Sequence, residues 1–377
     1  MRVLFGINRP IGFRQALRNF SLPPFPGHAR FREVPPEDIR QPPPAVGFEY
    51  IHRSTGADEF TAAIGGYRKM LVRLIETGWK PDLLHARNAE TAGIITACLA
   101  REFALPWVLS EHQVFVLSRY SEWRRQKMLE AIAEATEVVA VSHHQLRCMF
   151  MHGVDREASV IGNMIDEDFF AYVPPQRDRS RFRILTVTYP MPIKDCRTFF
   201  RALAAMVQQG HSDIEATVIG NDSFGDVSKA NSGAYEALAK EYSVHQFCRF
   251  VPLVPRAEMP KVFSECDVFV STSIAETFGI AVREAMAVGR PVVCTASGGV
   301  DEIMSPVNGV MVNIRDHEAV ADALIGIKTD RLTFEPEKIR DSIVSRHSRH
   351  AFLDQMSVVF ERALVFGRPR ETEILSR

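Results

Sequence analysis

The segment from Ser271 to Glu302 constrains the fold of this chain more than any other part of the sequence. It begins at the end of a short apolar run, residues 267–271, which is typical of a fully buried parallel strand. Phe278 and Gly279 then turn the chain, and the apolar spacing of residues 280–288 predicts a helix. A buried strand that leads through a glycine turn into a helix indicates an α/β fold with a parallel sheet.

Gly279 lies at the predicted start of that helix and favours an anion site there. The first amides of a helix have no intrahelical partner, and a residue without a side chain lets a diphosphate approach them closely. Glu276 and Glu284 lie on either side of this point, eight residues apart. Because carboxylates accept hydrogen bonds from hydroxyl groups, we expect the amides to bind phosphate and the two glutamates to bind sugar hydroxyls.

A second glycine turn follows shortly after the first. The helix is expected to end at Gly289, and residues 291–294 predict the next buried strand. Gly298 and Gly299 come directly after that strand and offer another group of backbone amides. We expect this group to lie beside the first.

These residues resemble the donor-binding signature of the retaining glycosyltransferases with two Rossmann-like domains, in particular the group called family 4. The resemblance implies a GT-B fold, in which two Rossmann-like doubly wound domains face a cleft. It also implies that Glu276 faces the donor sugar, that the turn at Phe278 with the amides of Gly279 and Ile280 contacts the sugar phosphate, and that Glu284 holds the ribose hydroxyls. An ordinary βαβ unit with two surface glutamates is the alternative interpretation.

His112 is a second candidate from the same resemblance. Ser110, Glu111 and His112 resemble a Glu-His pair at the end of a strand, and this implies that His112 contacts the donor sugar and takes part in catalysis with Glu276. A lone histidine after a strand is more often a structural hydrogen-bonding residue. That interpretation is the better one for His85, whose match is less specific.

Lys194 resembles the lysine that pairs with the donor diphosphate in this family, and we include it among the catalytic and donor-binding residues. The family usually has an arginine five residues earlier, where this chain has Tyr189. Tyrosine supplies a hydrogen bond but no charge, so a charge-assisted contact of about 1.5–3 kcal/mol is missing unless another cation replaces it. Lys194 by itself is also compatible with an ordinary surface lysine.

The resemblance implies transfer of a sugar from a nucleotide-diphosphate donor to a glycan, lipid-linked or small-molecule acceptor, with retained anomeric configuration. Lys194 and the amides of Gly279 and Gly299 would stabilise the departing diphosphate, with no metal ion and no other cofactor. A non-catalytic nucleotide-sugar binding protein and a nucleotide-sugar epimerase are the alternatives. Residues 166–168 form a D-x-D pattern, but they lie at a domain junction, and we do not interpret them as a metal site.

The alternation of strands and helices restarts once along the 377 residues. Residues 1–172 are predicted to form an acceptor-side Rossmann-like domain, 173–348 a donor-binding domain, and 349–377 a helix that crosses back toward the first domain, with a tail. Strands are predicted at 3–7, 82–85, 106–110, 137–141, 160–161, 183–187, 216–220, 267–271 and 291–294, and helices at 60–75, 89–103, 122–135, 280–288 and 349–366.

Composition excludes several classes of protein. A formal net charge of −1 argues against bulk nucleic-acid binding, and six scattered cysteines suggest neither a zinc site nor a disulfide framework. The sequence has no run of eighteen apolar residues and no signal core after Met1, so we expect a cytoplasmic protein.

Two further segments remain open to two interpretations each. Residues 22–44 hold eight prolines, which predicts a long loop that either shapes acceptor specificity or is simply solvated. The basic cluster, Arg119, Arg124, Arg125 and Lys127, either touches anionic lipid at the membrane or forms a solvated charged face.

Overall fold

The structure is a computed structural model that describes residues 3–10, 45–52, 57–175, 180–189, 191–220 and 233–367. Within these ranges the strands are β1 Val3–Pro10, β2 Ala45–His52, β3 Leu84–Arg87, β4 Trp107–Glu111, β5 Glu137–Ala140, β6 Ser159–Val160, β7 Phe182–Val187, β8 Ile214–Ile219, β9 Cys248–Val251, β10 Val268–Ser271, β11 Val292–Thr295 and β12 Gly309–Val312. The α-helices are α1 Ala57–Glu76, α2 Ile94–Phe103, α3 Glu122–Glu134, α4 His143–Met151, α5 Cys196–Gln208, α6 Gly233–Glu241, α7 Met259–Ser264, α8 Ile280–Ala287, α9 His317–Lys328, α10 Pro336–His347 and α11 Arg349–Phe366.

A four-stranded parallel sheet with the order β3-β4-β5-β6 forms the centre of the amino-terminal half. Its strand β4 is buried along its whole length, as expected for a strand covered by helices on both faces. Helices α2 and α3 contribute buried apolar side chains such as Leu99 and Ile132 to this core. Strands β1 and β2 pair in parallel with each other, and both contact α1.

A six-stranded parallel sheet with the order β12-β11-β10-β7-β8-β9 forms the centre of the carboxyl-terminal half. Strand β7 pairs with β8 on one side and with β10 on the other, so the strand order reverses at β7. In open parallel sheets, ligands bind in the crevice outside the carboxyl ends of the strands at such a reversal. The residues that follow Val187 and Ser271, the last residues of β7 and β10, therefore face the expected binding crevice.

The last helix, α11, packs on the sheet of the amino-terminal half. Met356, Val359 and Ala363 are buried on its inner face, against Val108 and Val139 of β4 and β5. A polar contact accompanies this packing, because the Arg362 guanidinium donates to the carboxylate of Glu137 over 2.8 Å. The helix thus fixes the carboxyl-terminal end of the chain to the half from which the chain began.

The predicted α/β class with parallel sheets is confirmed, and most predicted elements agree with the structure to within two residues. The predicted strand at 82–85 lies two residues further on, at β3. Residues 89–103 begin with a π-helical turn, Ala89–Gly93, before α2, where a continuous helix was expected. Strand β2 was not predicted, because the proline-rich segment before it interrupts the alternation of strands and helices.

Some expectations fall on residues that the structure does not describe. The loop predicted at 22–44 and the tail after Gly367 lie outside the described residues, as do residues 176–179 next to the predicted domain boundary at 172. The domain boundaries at 172 and 348 stay predictions.

In the basic cluster, Arg124, Arg125 and Lys127 each pair with a nearby glutamate, as a solvated charged face would.

Candidate active site

Lys194 and Glu276 meet in the crevice between β7 and β10. Lys194 ends a short 3-10 turn that follows β7, and Glu276 lies in the loop after β10. Nζ of Lys194 donates to Oε1 of Glu276 over 2.5 Å, and both side chains are mostly buried. The Ser273 hydroxyl donates to the same carboxylate oxygen over 2.7 Å. Two donors therefore hold the Glu276 carboxylate in one orientation.

Tyr189 contacts the same lysine. Nζ of Lys194 lies 4.6 Å from the centroid of the Tyr189 ring. A cation over the face of an aromatic ring is attracted by the negative potential of that face. Tyr189 thus helps to position the ammonium group, although it brings no charge of its own.

The turn at Gly279 has the geometry expected of an anion site. Gly279 precedes α8 with φ of 75°, in the left-handed region that favours glycine. A Cβ at this position would collide with the Val300 side chain, so the backbone and the packing both require glycine. Ile280 is exposed at the first position of α8, while Phe278 is buried, with its ring edge-on to His347 at 5.3 Å.

The amides of Gly298 and Gly299 already have acceptors in this structure. Gly298 N donates to Oδ1 of Asp301 over 2.8 Å, and Gly299 N donates to the carbonyl of Glu276, also over 2.8 Å. Glu276 and Gly298 form a parallel bridge that joins the two loops. The expected free amides are therefore engaged, and the predicted contact of these two glycines with phosphate requires that these bonds be exchanged for new ones.

Glu284 lies on α8 and is almost completely buried. Arg256 donates from Nη1 to its carboxylate over 2.5 Å and stacks over the Phe170 ring at 4.8 Å. Burial raises the pKa of Glu284, and the neighbouring Arg256 opposes that rise. A ribose hydroxyl that binds Glu284 would share this carboxylate with Arg256, or replace it.

His112 follows β4 on the other half of the molecule. Nε of Arg87 donates to Nε2 of His112 over 3.2 Å, so Nε2 is the unprotonated nitrogen of a neutral ring. Burial, and then the Arg87 charge, lower the pKa of His112 to about 4. The preceding Glu111 is buried and accepts hydrogen bonds from the amides of Ala89 and Gln113, which fixes the strand end.

His85 has the structural role that its weaker motif favoured. Its Nε2 lies 2.8 Å from the Ser110 hydroxyl, and its ring is edge-on to Phe360 of α11 at 5.4 Å. Burial lowers the pKa of His85 to about 4. This histidine therefore packs between β3, β4 and the crossing helix.

The two halves touch beside the Glu276 loop. The Ser142 hydroxyl donates to the carbonyl of Thr277 over 2.6 Å and also accepts from the amide of Gln145 over 3.0 Å, as the N-cap of α4. The amide of His143 donates to Glu302 over 3.3 Å. A helix start of the amino-terminal half is thus bound to both loops of the donor side.

Two family models match the chain, one to each half. The model described as glycosyltransferase family 4 matches residues 25–169, and the model described as glycosyl transferases group 1 matches residues 181–330. The chain belongs to the group 1 glycosyltransferases. The second match includes Lys194, Glu276 and both glycine turns, so the family assignment and the crevice concern the same residues.

Among similar sequences, the D-inositol 3-phosphate glycosyltransferase of Frankia alni is 24% identical over 77% of this chain and 74% of that protein. Among solved structures, sucrose-phosphate synthase from Thermosynechococcus elongatus has a TM-score of 0.70 at 18% identity, covering 97% of this chain and all of that one. Anabaena HepE in complex with UDP-glucose has a TM-score of 0.66 at 19% identity, covering 96% of this chain and 100% of that one. These structures show that the glycosyltransferase has a GT-B fold.

Sequence reasoning missed two parts of the glycosyltransferase site. Arg256 was not singled out, because a loop arginine carries no signal until its partner Glu284 is known. Arg283 lies in the segment that constrains the fold most, and its side chain is fully buried. Its position next to Glu284 in an amphipathic helix does not predict this burial.

The described residues of the glycosyltransferase contain neither a metal-ligand cluster nor a membrane-spanning helix. Among them, no three His, Cys, Asp or Glu side chains are grouped so that they could hold a metal ion. In the D-x-D pattern, Asp166 pairs with Arg349 at 3.0 Å. No helix in the same part of the chain has the length and apolar character needed to cross a membrane.

Proposed function

We propose that this glycosyltransferase moves a sugar from a nucleotide-diphosphate donor to a glycan, lipid-linked or small-molecule acceptor, with retention of the anomeric configuration. The observation that carries the proposal is the pairing of Lys194 with Glu276 beside the amide turn at Gly279. One side of this arrangement suits a phosphate and the other suits sugar hydroxyls. A sugar phosphate bridges the two.

The diphosphate would lie between Lys194 and the first amides of α8. Backbone amides at a helix start carry partial positive charge, and a lysine adds a full charge next to them. These donors are in place before the reaction, so they stabilise the negative charge on the leaving group as the glycosidic bond breaks. Such preorganised donors reduce the need for a metal ion, which supports the proposed metal-independent reaction.

Glu276 suits recognition of the donor sugar better than nucleophilic attack. Its carboxylate accepts hydrogen bonds from Lys194 and Ser273, which hold it in one orientation and weaken it as a nucleophile. For that reason we propose that the acceptor attacks from the face on which the diphosphate departs, and that its proton passes to a phosphate oxygen. His112, proposed to contact the donor sugar, is neutral and offers a hydrogen bond without charge.

The identities of the donor base, the donor sugar and the acceptor are to be determined by experiment. The structural neighbour HepE was solved with UDP-glucose, so UDP-sugars are the first donors to test. The Frankia alni relative is named for a phosphorylated inositol acceptor, so inositol phosphates belong in the acceptor panel. A cytoplasmic location and a peripheral contact with the membrane stay predictions.

The test has two stages. The first measures thermal stabilisation by UDP-, GDP- and ADP-sugars, since a ligand at a hundred times its Kd adds about 2.7 kcal/mol to the folded state. We expect a shift with one base that is lost in Lys194→Ala and Glu284→Ala. Absence of a shift with every nucleotide sugar would overturn the proposal.

The second stage follows donor consumption in the presence of EDTA, with and without the acceptor panel, and the anomeric configuration of the product by NMR. Transfer with retention requires an acceptor and gives a product with the same anomeric configuration as the donor sugar. Donor conversion without an acceptor indicates an epimerase instead. Saturable binding without conversion across the whole panel indicates a non-catalytic binding protein.

A further inference from the structure

Arg283 is a charged residue at a place where the fold would be expected to bury an apolar one. It lies on α8 between Val282 and Glu284, and its side chain has 0% exposure. The guanidinium stacks over the Phe278 ring at 3.6 Å from the centroid. Arginine is almost never buried unless its charge is paired, so this burial needs a reason.

The contacts of Arg283 join the two glycine turns of the donor side. Nη2 donates to the carbonyl of Gly299 over 3.1 Å, and the nearest carboxylate oxygen, on Glu302, lies 3.9 Å from it. Nε lies 3.5 Å from Nε2 of His347. The guanidinium is therefore partly compensated, by one carbonyl and one distant carboxylate.

The remaining nitrogen, Nη1, is buried and has no hydrogen-bond partner among the described residues. It lies 3.7 Å from the point where a Cβ on Gly279 would stand, so it is directed at the turn whose amides begin α8. Burial lowers the pKa of Arg283 to about 9, so the group still carries its charge at neutral pH. A buried cation that is only partly compensated, behind an amide turn, favours an anion on the other side of that turn.

We propose that Arg283 is a positioning residue for the donor diphosphate: it holds the Gly279 and Gly299 turns together and adds a buried positive charge behind the amides that bind phosphate. The inference rests on the proposed function, since it assigns a partner to the diphosphate of that same site. Arg283 also supplies a positive charge near the diphosphate, which Tyr189 does not. Acting from behind the backbone, Arg283 needs no direct contact with the ligand.

The experiment measures Kd by calorimetry for three probes: UDP, uridine and inorganic pyrophosphate. In Arg283→Met we expect the affinity for UDP and pyrophosphate to fall about tenfold or more, because an interaction between full charges in a poorly solvated site is strong. The affinity for uridine, which carries no phosphate, should change less than about twofold. Arg283→Lys should keep most of the UDP affinity.

Arg290→Met is the matched control. Arg290 is equally buried in the same half, and its guanidinium donates to the carbonyls of Val173 and Ser264, away from the Gly279 turn. The variant removes the same charge from the same half of the molecule, so its Kd for pyrophosphate should stay near that of the wild type.

A second variant tests the charge without disturbing Arg283, in case Arg283→Met does not fold. Glu302→Gln removes the negative charge 3.9 Å from the guanidinium and keeps an oxygen for the His143 amide. We expect the UDP affinity to rise about two- to threefold, because less of the Arg283 charge is then neutralised. A fall, or no change, would contradict the inference.

The outcomes for this inference and for the proposed function are separable. Parallel losses for UDP and uridine in Arg283→Met would mean that the arginine only maintains the fold, and the inference would be wrong while the function stands. Binding of pyrophosphate that depends on Arg283, without binding of any nucleoside diphosphate, would support the anion site and overturn the proposed function. Wild-type protein that binds neither would overturn both.

Discussion

The ring of Tyr189 lies under the ammonium group of Lys194, with Nζ 4.6 Å from the ring centroid, while the same Nζ donates to Glu276. The lysine is thus positioned from two sides before any phosphate is bound. An aromatic side chain at position 189 has a function in this arrangement, although the family resemblance implies an arginine there.

Substitution of Tyr189 tests that function. In Tyr189→Leu the cation–π contact is lost, which is worth about 0.5–2 kcal/mol, so the Kd for the donor should rise about two- to thirtyfold. Tyr189→Phe keeps the ring and should bind the donor like the wild type. Equal losses in the two variants would assign the effect to the hydroxyl group, and titration calorimetry with the donor distinguishes the cases.

The Lys194–Glu276 pair is expected to act as a unit. Lys194→Met should lower kcat by about two to three orders of magnitude, as loss of a preorganised donor to the leaving group does. Glu276→Gln should lower kcat as well, and the double variant should lose less than the sum of both effects, with a coupling of about 0.5–3 kcal/mol. Steady-state kinetics of the four proteins give this coupling, and strict additivity would contradict the proposed pairing.

Gly279→Ala should disturb both packing and donor binding. Alanine would adopt a left-handed conformation and also collide with Val300. Gly78→Ala is the matched control, because Gly78 has φ of +85° with nothing within 4 Å of the added Cβ. Backbone strain alone costs about 1–2 kcal/mol in either variant, so any greater loss in the free energy of unfolding of Gly279→Ala measures the collision. Urea unfolding provides both values.

Ser142→Ala tests the contact between the halves. It removes the hydrogen bond to Thr277 and the N-cap of α4, whereas Ser121→Ala removes only the N-cap of α3. Ser121→Ala should lose about 1 kcal/mol of stability, and Ser142→Ala should lose more because it also loses the bond to Thr277. Only Ser142→Ala should also lower kcat/KM for the donor, because the Glu276 loop loses its partner in the other half. Similar kcat/KM values for the two variants would refute a role of this contact in donor binding.

Three histidines with lowered pKa values predict sensitivity to acid. Burial lowers the pKa of His85 and His112 to about 4 and that of His347 to about 3. The unfolded chain binds protons at these sites below its ordinary pKa of about 6.5, while the folded protein does not, so stability falls as the pH drops from 6.5 toward 4. His347→Gln should reduce the slope of unfolding free energy against pH by about 1.4 kcal/mol per unit in this range. An unchanged slope would show that His347 is protonated in the folded protein.

The sequence predicted the part of the site that follows from chain order. Glu276, Gly279 and Lys194 lie in the connections that follow β10 and β7, and strands that alternate with helices bring such positions together at one edge of a parallel sheet. The pairing partners were not predictable in this way. Arg256 reaches Glu284, and Tyr189 reaches Lys194, through side-chain rotamers and loop paths that have no sequence pattern.

The glycine amides also show what cannot be predicted from the sequence. Gly298 and Gly299 were correctly placed beside the first turn, but a pattern of residue types does not show which amides are already occupied. Their acceptors, Asp301 and the Glu276 carbonyl, depend on a bridge between two loops that forms only in the folded chain.

The hydroxyl of Ser142 makes the conformation of the Glu276 loop depend on both halves of the chain. A chimera that combined the carboxyl-terminal half of this protein with the amino-terminal half of a relative would inherit intact glycine turns, yet its Thr277 carbonyl would be supported only if the incoming half carried a hydroxyl at the equivalent helix start. Recombination of the two halves is therefore constrained here by a side chain of the amino-terminal half on which a loop of the other half depends.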